Sequence, residues 1–150
     1  MPAGVGEPWF DTVEGVLSHA LFSIPAVKAV EFGDGFALAE MRGSVSNDSL
    51  VSENGVISSK TNRNGGILGG ITSGMPLLFR TAIKPTPTIE KEQETVDLIT
   101  KENGILASRG RHDPCIVPRA RIVQDAVTAL VLADLLTLRY GTDFLAEEAK

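Results

Sequence analysis

The chain has 150 residues, of which 43% are hydrophobic, and its 14 basic and 19 acidic residues give a net charge of −5. This length and composition predict one domain spanning residues 1–150 and exclude an intrinsically disordered protein. The single cysteine, Cys115, excludes an internal disulfide, and with only two histidines, His19 and His112, we expect no metal site. The acidic net charge argues against a nucleic-acid-binding surface, which requires clustered cations.

The sequence carries no recognisable targeting or membrane-spanning segment. Residues 1–15 lack a basic region followed by an apolar one, so we expect no secretory signal. The longest run without a polar residue other than threonine is 126–133, far short of the ~20 residues that a membrane-spanning helix needs. These features predict a cytoplasmic protein without a membrane partner.

Two helices are predicted, one near each end of the chain. Asp11 and Glu14 have the spacing of an N-terminal capping box, and Pro25 ends this first helix. The apolar residues of one helical face follow the cap: Val13, Val16, Leu17, Ala20 and Leu21. The second helix runs from about Arg119 to Arg139 and ends at Gly141. It is apolar on most sides, so we expect it to be largely buried.

Extended segments lie between these helices. The sequence predicts strands at Val27–Phe32 and Phe36–Arg42, joined as a hairpin through Gly33–Gly35. It predicts a long polar loop over Gly43–Asn64, which is typical of functional or disordered segments. Leu77–Lys84 alternates between two faces and predicts a third strand.

A further hairpin is predicted from Thr95–Thr100 and Ile105–Ser108, paired across Glu102, Asn103 and Gly104. The order of helix, strands and helix, with hairpin-like connections, favours an α+β fold over a βαβ repeat. We therefore expect an antiparallel sheet packed with helices.

The first candidate for chemistry is residues 65–74, which contain five glycines. Glycine allows positive φ values and a close approach to a ligand, so several backbone N–H groups can face one anion. The segment lacks the strand–GxGxxG–helix context of a dinucleotide-binding fold and the GK[ST] ending of a P-loop. A bulged or tightly packed strand is the alternative, and the spacing alone favours it.

The second candidate is the segment Lys84, Pro85, Thr86, Pro87 and Thr88. A lysine at the end of a strand, followed by a rigid loop with two hydroxyl groups, is suited to holding a phosphate. The alternative is an exposed strand exit, where lysine and proline are both ordinary residues.

The third candidate is Gly110–Cys115, which lies just before the second helix. Arg111 has the planar donor group that binds a carboxylate or phosphate, and Asp113 or His112 is able to move a proton. The alternative is a helix-entry turn in which Asp113 pairs with Arg111. Because an apolar stretch follows Cys115, we expect a buried structural thiol there rather than a nucleophile.

Three segments taken together resemble chorismate synthase. They are Asn62–Gly74, Lys84–Thr88 and Gly110–Cys115, and their order and spacing agree with that family, as do the preceding segments Gly6–Pro8 and Ser23–Lys28. The resemblance implies that the chain is the C-terminal portion of a family member, with the N-terminal half absent. It also implies a place in the β-α-β sandwich of that family.

The resemblance implies an activity and a cofactor. The family eliminates phosphate from 5-enolpyruvylshikimate 3-phosphate to give chorismate, in the shikimate pathway of aromatic amino-acid biosynthesis, using reduced FMN without net redox change. By motif match, the FMN-binding residues are Ala26, Gly69, Lys84, Pro85, Thr86, Pro87, Thr88 and Arg111. The catalytic residues implied are Arg111, which also helps to hold the anionic substrate, and Asp113, which assists proton removal through the flavin N5.

Partners follow from the same resemblance. It implies NADP, and either a homotetramer or association with the absent N-terminal half. A second hypothesis is a non-catalytic flavin- or phosphate-binding or structural fragment that needs that half. Under both hypotheses we expect the isolated chain to be inactive or nearly so. We also expect Gly43–Asn64 to close over bound ligands.

Overall fold

The computed structural model describes residues 1–143, which form an α+β fold as the sequence predicts. The helices are α1 (Val13–Phe22), α2 (Gly43–Ser46) and α3 (Val117–Tyr140), with two 3₁₀ segments at Trp9–Asp11 and Gly35–Glu40. The strands are β1 (Val27–Phe32), β2 (Leu50–Glu53), β3 (Val56–Ser59), β4 (Ile67–Leu68), β5 (Ile71–Thr72), β6 (Phe79–Ile83), β7 (Gln93–Val96) and β8 (Asn103–Leu106). They form antiparallel pairs in the order β1–β6, β2–β3, β4–β5 and β7–β8.

Helix α1 confirms the first predicted helix, although its cap differs by one residue. The Thr12 side chain, rather than Asp11, accepts a hydrogen bond from the backbone N–H of Gly15 at 2.9 Å. This bond satisfies one of the N–H groups that lack a partner at the start of any helix. The apolar periodicity places Val13, Leu17 and Leu21 on the buried face.

The core lies between α1, β1 and α3. Its buried apolar side chains are Val5, Val13, Leu17, Leu21, Ile24, Val27, Ile67 and Leu135. Each fully buried leucine or valine contributes about 1.5–3 kcal/mol relative to exposure. Partly buried residues of β6, including Phe79 and Ile83, pack against this cluster. The core therefore fixes how β6 and α3 lie relative to α1.

Strand β1 is confirmed, but its predicted partner is wrong. Phe36–Arg42 does not form a strand, because residues Gly35–Glu40 turn into a 3₁₀ segment directly after β1. Gly33 and Gly35 both have positive φ, and the Glu31 carboxylate accepts a hydrogen bond from the Phe36 N–H at 3.3 Å. The partner is β6, which pairs Val27 with Ile83 at one end and Phe32 with Phe79 at the other.

The loop predicted over Gly43–Asn64 is also wrong. It contains α2 and the hairpin β2–β3, in which Leu50 pairs with Ser59 and Glu53 with Val56. The turn residues Asn54 and Gly55 both have positive φ, the combination that suits a two-residue hairpin. The sequence contains this Asn–Gly pair, which is typical of hairpin turns. The residues around it are mostly polar, so the two flanking strands were not predicted.

The second predicted hairpin is confirmed with shifted bounds. Gln93 pairs with Leu106 and Val96 with Asn103, so the first strand begins and ends earlier than Thr95–Thr100. In the turn, the Asp97 carboxylate accepts hydrogen bonds from two backbone N–H groups, which favours a turn over a longer strand.

Helix α3 confirms the second predicted helix, and Gly141 follows it at a φ of 81°. Pro118 lies in the first turn, where the absence of its N–H costs no intrahelical bond. The prediction that α3 is largely buried is wrong, since only Ala120 and Leu135 of its side chains are buried. Elements of the described chain cover one side of α3 and leave the other exposed. Within residues 1–143, no helix has the length and apolar character to cross a membrane.

Candidate functional site

The second candidate segment leaves the end of β6 beside the turn that follows α1. The backbone N–H of Lys84 donates a hydrogen bond to the Ala26 carbonyl at 2.7 Å. Ala26 has a φ of 71°, a conformation that non-glycine residues rarely adopt. The structure therefore places two of the predicted cofactor-binding residues, Ala26 and Lys84, next to each other.

Parts of the segments at 84–88 and 110–115 line one surface cavity, although Lys84 and Pro87 line neither this cavity nor the one beside it. Its volume is about 540 Å³, and it is lined by Thr86, Thr88, Arg111, His112, Asp113, Ile116 and Arg119. An adjoining cavity of about 510 Å³ shares four of these residues and adds Pro85, Ile89, Glu90, Gly110 and Pro114. These volumes fall within the range of small-molecule sites, about 300–1,000 Å³. The structure thus brings together residues that the sequence separates by more than twenty positions.

A larger cavity lies elsewhere, between α1 and α3. It has a volume of about 630 Å³ and includes Phe10, His19, Leu135 and Arg139 in its lining. None of the residues predicted to bind the cofactor or act in catalysis lines it. The candidate site is therefore the smaller pair of cavities, where the cationic and hydroxyl-bearing loops meet.

Asp113 has a different ionic partner from the one considered in the sequence. The Arg119 guanidinium lies 3.2 Å from Asp113 Oδ2 and 3.3 Å from Oδ1, so two of its nitrogens face the carboxylate. Arg111 has no ion-pair partner among residues 1–143. The alternative pairing of Asp113 with Arg111 does not form, because the first turn of α3 brings Arg119 to the carboxylate.

Arg111 therefore lines the cavity as a cation without a carboxylate partner in the described part of the chain. A planar guanidinium in this position is able to bind a phosphate or carboxylate group through two parallel hydrogen bonds. His112 is held on the same loop, where its Nε2 lies 3.4 Å from Ser108 Oγ.

Thr86 provides a test of whether the cavity suits a phosphorylated ligand. Within residues 1–143 its Oγ1 is buried and has no hydrogen-bond partner, although the residue lines both cavities. Leaving a buried hydroxyl unsatisfied costs about 1–3 kcal/mol. Rotation of the Thr86 side chain toward the cavity would bring this hydroxyl to a ligand oxygen or ring nitrogen. The unsatisfied hydroxyl, a second hydroxyl at Thr88 and the unpaired Arg111 fit the donor set that a flavin phosphate or ring edge requires.

Gly69 lies apart from these residues. It forms the β4–β5 turn, is exposed and lines neither of the two cavities. The next residue, Gly70, accepts a hydrogen bond from the Val13 N–H at the start of α1, whereas Ala26 follows the end of that helix. The ten residues of α1 separate the two places by about 15 Å.

The glycine-rich segment contains the tight hairpin β4–β5, rather than the single bulged or tightly packed strand that the spacing favoured. Ile67 pairs with Thr72, and Gly70 packs against Thr12 and the Glu7 carbonyl with no room for a side chain. Gly69 faces open space at a φ of 59°. Its assignment as an FMN contact stays a prediction.

Cys115 is exposed, so the expectation of a buried thiol is wrong. The apolar residues that follow it enter the first turn of α3, most of which is open to solvent. Residues 1–143 contain no cluster of three or more histidine, cysteine, aspartate or glutamate side chains suited to a metal ion.

Sequence reasoning missed the part played by α3 in this site. Ile116 and Arg119 line the cavity, and Arg119 holds Asp113. The sequence contained one indication of this pair. Pro118 is typical of the first turn of a helix, and it lies between Asp113 in the preceding loop and Arg119 in the helix. A residue just after it returns toward the preceding loop.

Almost the whole chain is similar in sequence to known proteins. A family model described as chorismate synthase matches residues 1–137. The chorismate synthase of Dehalococcoides mccartyi is 55% identical over 141 residues, which cover 94% of this chain and 38% of the relative. That of Thermococcus gammatolerans is 55% identical over 139 residues, which cover 93% of this chain and 39% of the relative.

A solved structure supports the same relationship. A protein described as "Crystal Structure of Chorismate Synthase" is similar with a TM-score of 0.73 and 34% sequence identity, over 93% of this chain and 35% of that protein. The chain thus spans less than two fifths of the length of the first relative it matches, 38%.

Proposed function

The chain belongs to the chorismate synthase family, and on that premise we propose that it forms part of an active site that converts 5-enolpyruvylshikimate 3-phosphate to chorismate. The reaction is a lyase reaction that expels phosphate, and it serves aromatic amino-acid biosynthesis. The observation that carries the proposal is the cavity shared by Thr86, Arg111 and Asp113, in which the first two lack hydrogen-bond or ionic partners in the described chain.

We propose reduced FMN as the cofactor of this site. Its contacts within the cavity would come from Thr86, Thr88 and Arg111, and Lys84 would add a positive charge at the end of β6. The remaining proposed contacts are Ala26, Gly69, Pro85 and Pro87. When bound, reduced FMN would supply the electron-rich group on which the reaction depends, with no net redox change.

The charges of the site suit phosphate expulsion. Negative charge develops on the departing phosphate, and a preorganised cation at that position lowers the barrier. Arg111 is available for this role because no carboxylate in residues 1–143 neutralises it. Asp113 would assist removal of the proton that leaves with the phosphate, since Arg119 holds its carboxylate at the cavity wall.

The second candidate function is a flavin- or phosphate-binding or structural fragment without turnover of its own. The observation that favours it is the coverage of 38% of a curated relative, since the chain then supplies only part of a complete site. The two candidates differ in one measurable outcome, which is whether phosphate is released when the rest of the family sequence is supplied.

A phosphate-release assay tests the proposal. The chain is co-expressed with the segment of the Thermococcus gammatolerans relative that lies outside the match, and given reduced FMN and 5-enolpyruvylshikimate 3-phosphate. We expect turnover by the pair, and a loss of about 100-fold or more in kcat for Asp113→Asn. Arg111→Ala should lose a comparable amount.

Arg121→Ala is the matched control, because Arg121 is an exposed arginine whose contact is Asp125 at 3.8 Å, outside the cavity. It should retain the turnover of the unaltered pair. Flavin binding without any phosphate release would contradict the enzyme proposal and support the second candidate.

Three further expectations remain proposals for the complete protein. We propose a cytoplasmic location, a homotetrameric assembly and NADP as an associated cofactor, on the strength of the family resemblance alone. Sedimentation equilibrium of the reconstituted pair tests the assembly state.

A further inference from the structure

Three of the five asparagines in the chain are followed by glycine, at Asn54, Asn64 and Asn103. In an Asn–Gly pair the asparagine side chain reacts readily with its own backbone, because glycine has no Cβ to shield the attacking nitrogen. Two of the pairs share a longer sequence, since Glu53 precedes Asn54 and Glu102 precedes Asn103. The chain therefore presents one reactive pair in three structural settings.

Asn54 lies in the least restrained of these settings. Asn54 and Gly55 form the turn between β2 and β3, outside the ladder, which closes with the pair of Glu53 and Val56. Both turn residues are exposed, and in the described chain neither the Asn54 side-chain amide nor the Gly55 N–H has a hydrogen-bond partner. A Cβ at Gly55 would meet nothing within 4 Å. The groups that must react are thus free of contacts and open to water.

The hairpin that carries this turn opens at little cost. Strands β2 and β3 form a two-stranded sheet with no buried residue, and an isolated pair of strands is only marginally stable in water. Asn54 also has a φ of 53°, in the left-handed region that costs free energy in L-residues. Opening relieves this conformation, and it allows the Gly55 nitrogen to face the carbonyl carbon of the Asn54 side chain.

Asn64 is the restrained counterpart. Its side-chain amide donates a hydrogen bond to the Asp48 carboxylate at 2.8 Å, and the N–H of Gly65 donates to the Asn62 carbonyl at 3.1 Å. Gly65 is also buried, with a Cβ position only 2.5 Å from the Gly33 nitrogen. Both reacting groups are therefore held in hydrogen bonds that must break before the reaction.

Asn103 is intermediate between these two. It begins β8, where Asn103 pairs with Val96 and Gly104 pairs with Thr95. The attacking nitrogen is therefore part of a strand, and β7 and β8 must separate locally before the backbone turns back on the side chain. Because the preceding residue is the same as at Asn54, a difference in rate between the two sites reports structure rather than sequence.

We propose that Asn54 is a modification site at which the chain deamidates without an enzyme. The Gly55 backbone nitrogen loses its proton to solvent and bonds to Cγ of Asn54, the Cγ–Nδ2 bond breaks, and ammonia leaves with a proton from solvent. Water then opens the resulting cyclic imide at either carbonyl, which leaves an aspartate or an isoaspartate. The net reaction consumes one water and releases one ammonia, with no change of oxidation state.

The modification changes both the charge and the geometry of the hairpin. A carboxylate replaces a neutral amide, which adds one negative charge to a chain whose net charge is −5. In an isoaspartate the side-chain methylene becomes part of the main chain, so a two-residue turn no longer fits between Glu53 and Val56. The reaction requires neither the cofactor nor the substrate of the proposed function.

Peptide mapping of the full chain tests the site. The chain is incubated at mildly alkaline pH and digested with trypsin, which releases the three Asn–Gly pairs on separate peptides, and mass spectrometry follows the gain of one mass unit at each. A sample digested at the start corrects for reaction during digestion. We expect Asn54 to react about tenfold or more faster than Asn64 and at least about threefold faster than Asn103.

Two controls separate structure from sequence. In concentrated urea, which removes the fold, the three pairs should react at rates within about threefold of one another. Asn54→Gln should abolish the fastest reaction, because the longer side chain forms the corresponding ring far more slowly. In this variant the unchanged rates at Asn64 and Asn103 would show that the rest of the chain is folded as before.

Three results would overturn the inference. They are an Asn54 that stays unmodified, a native chain in which Asn64 or Asn103 reacts as fast as Asn54, and a difference between the sites that persists in urea, which would assign the rates to sequence. Failure of the enzyme proposal is a separate outcome, since it is measured by phosphate release and not by these rates.

Discussion

The buried carboxylate of Asp48 organises the segment that precedes the glycine-rich hairpin. It accepts hydrogen bonds from Thr61 Oγ1 at 2.6 Å, from the Arg63 N–H at 2.9 Å, and from the backbone and side-chain N–H groups of Asn64 at 3.0 and 2.8 Å. Burial by itself raises the pKa of Asp48, but these hydrogen bonds outweigh it and hold the pKa at about 2.

This low pKa predicts a pH-dependent contribution to stability. A carboxyl whose pKa is depressed in the folded state stabilises the fold above its ordinary pKa, 3.8, and loses that contribution as the pH falls toward about 2. We expect Asp48→Asn to lower the free energy of unfolding by about 2 kcal/mol at pH 7. The difference from the unaltered chain should shrink between pH 4 and pH 2, as measured by urea denaturation.

Asp97→Asn serves as the control for this prediction. Asp97 also accepts two backbone hydrogen bonds, from Ile99 and Thr100, but it is fully exposed. Its substitution should have a clearly smaller effect at pH 7. Equal effects of the two substitutions would contradict the larger contribution expected from the four hydrogen bonds to the buried Asp48 carboxylate.

Gly33 and Gly69 offer a second comparison between single residues, because their φ values are 58° and 59°. A Cβ at Gly33 would overlap the Arg63 carbonyl and lie 2.5 Å from the Gly65 nitrogen, whereas a Cβ at Gly69 would meet nothing within 4 Å. Gly69→Ala should cost about 1–2 kcal/mol from the left-handed backbone alone. Gly33→Ala should cost roughly 2–5 kcal/mol, because overpacking adds to the same strain. Thermal denaturation that finds equal costs would refute the close approach at Gly33.

At the scale of elements, the two long helices differ in how far their apolar side chains are buried. Leu17 of α1 is fully buried in the core, whereas Leu130 of α3 is 72% exposed. Leu17→Ala should lower the free energy of unfolding by about 2–5 kcal/mol, through lost contacts and a residual cavity. Leu130→Ala in the isolated chain should change it by less than about 0.5 kcal/mol. Denaturant titration checks both, and a large effect of Leu130→Ala would contradict the exposure of this side chain.

The elements that the sequence predicted well are those specified by nearby residues. Helix α1 follows from a cap and a period of three to four residues, and β1 and β6 follow from short apolar segments. The partner of β1 was not predictable in this way, because Phe32 pairs with Phe79, which lies far along the chain. The Gly33–Gly35 turn indicated a hairpin, and only tertiary contacts, such as the Gly33 N–H bond to the Leu78 carbonyl at 2.8 Å, direct the chain elsewhere.

The sequence indicated two of the segments that line the candidate cavity, but not the geometry that brings them together. The motif around Arg111 and Asp113 and the one around Thr86 both indicated anion binding, and the fold places them at one cavity. The Asp113–Arg119 pair depends on the direction in which α3 leaves the loop, which local pattern does not specify. Gly69 belongs to the same motif set, yet α1 separates it from Ala26.

At the scale of the whole molecule, a small core supports a large exposed surface. Among residues 1–143 only nine apolar side chains are buried, while the chain exposes 11049 Å². The sequence predicted a largely buried α3 because its apolar residues occur on most sides. That prediction is wrong, since only Ala120 and Leu135 of the α3 side chains are buried among the described residues.

Titration of FMN fluorescence tests the proposed cofactor site most directly. The chain, co-expressed with the unmatched segment of the Thermococcus gammatolerans relative, should bind FMN saturably. Arg111→Ala should weaken binding by roughly tenfold or more, since it removes a charged hydrogen-bond donor from the cavity, and Arg121→Ala should bind as the unaltered protein does. Equal affinities for the Arg111→Ala, Arg121→Ala and unaltered proteins would contradict the assignment of this cavity to the cofactor.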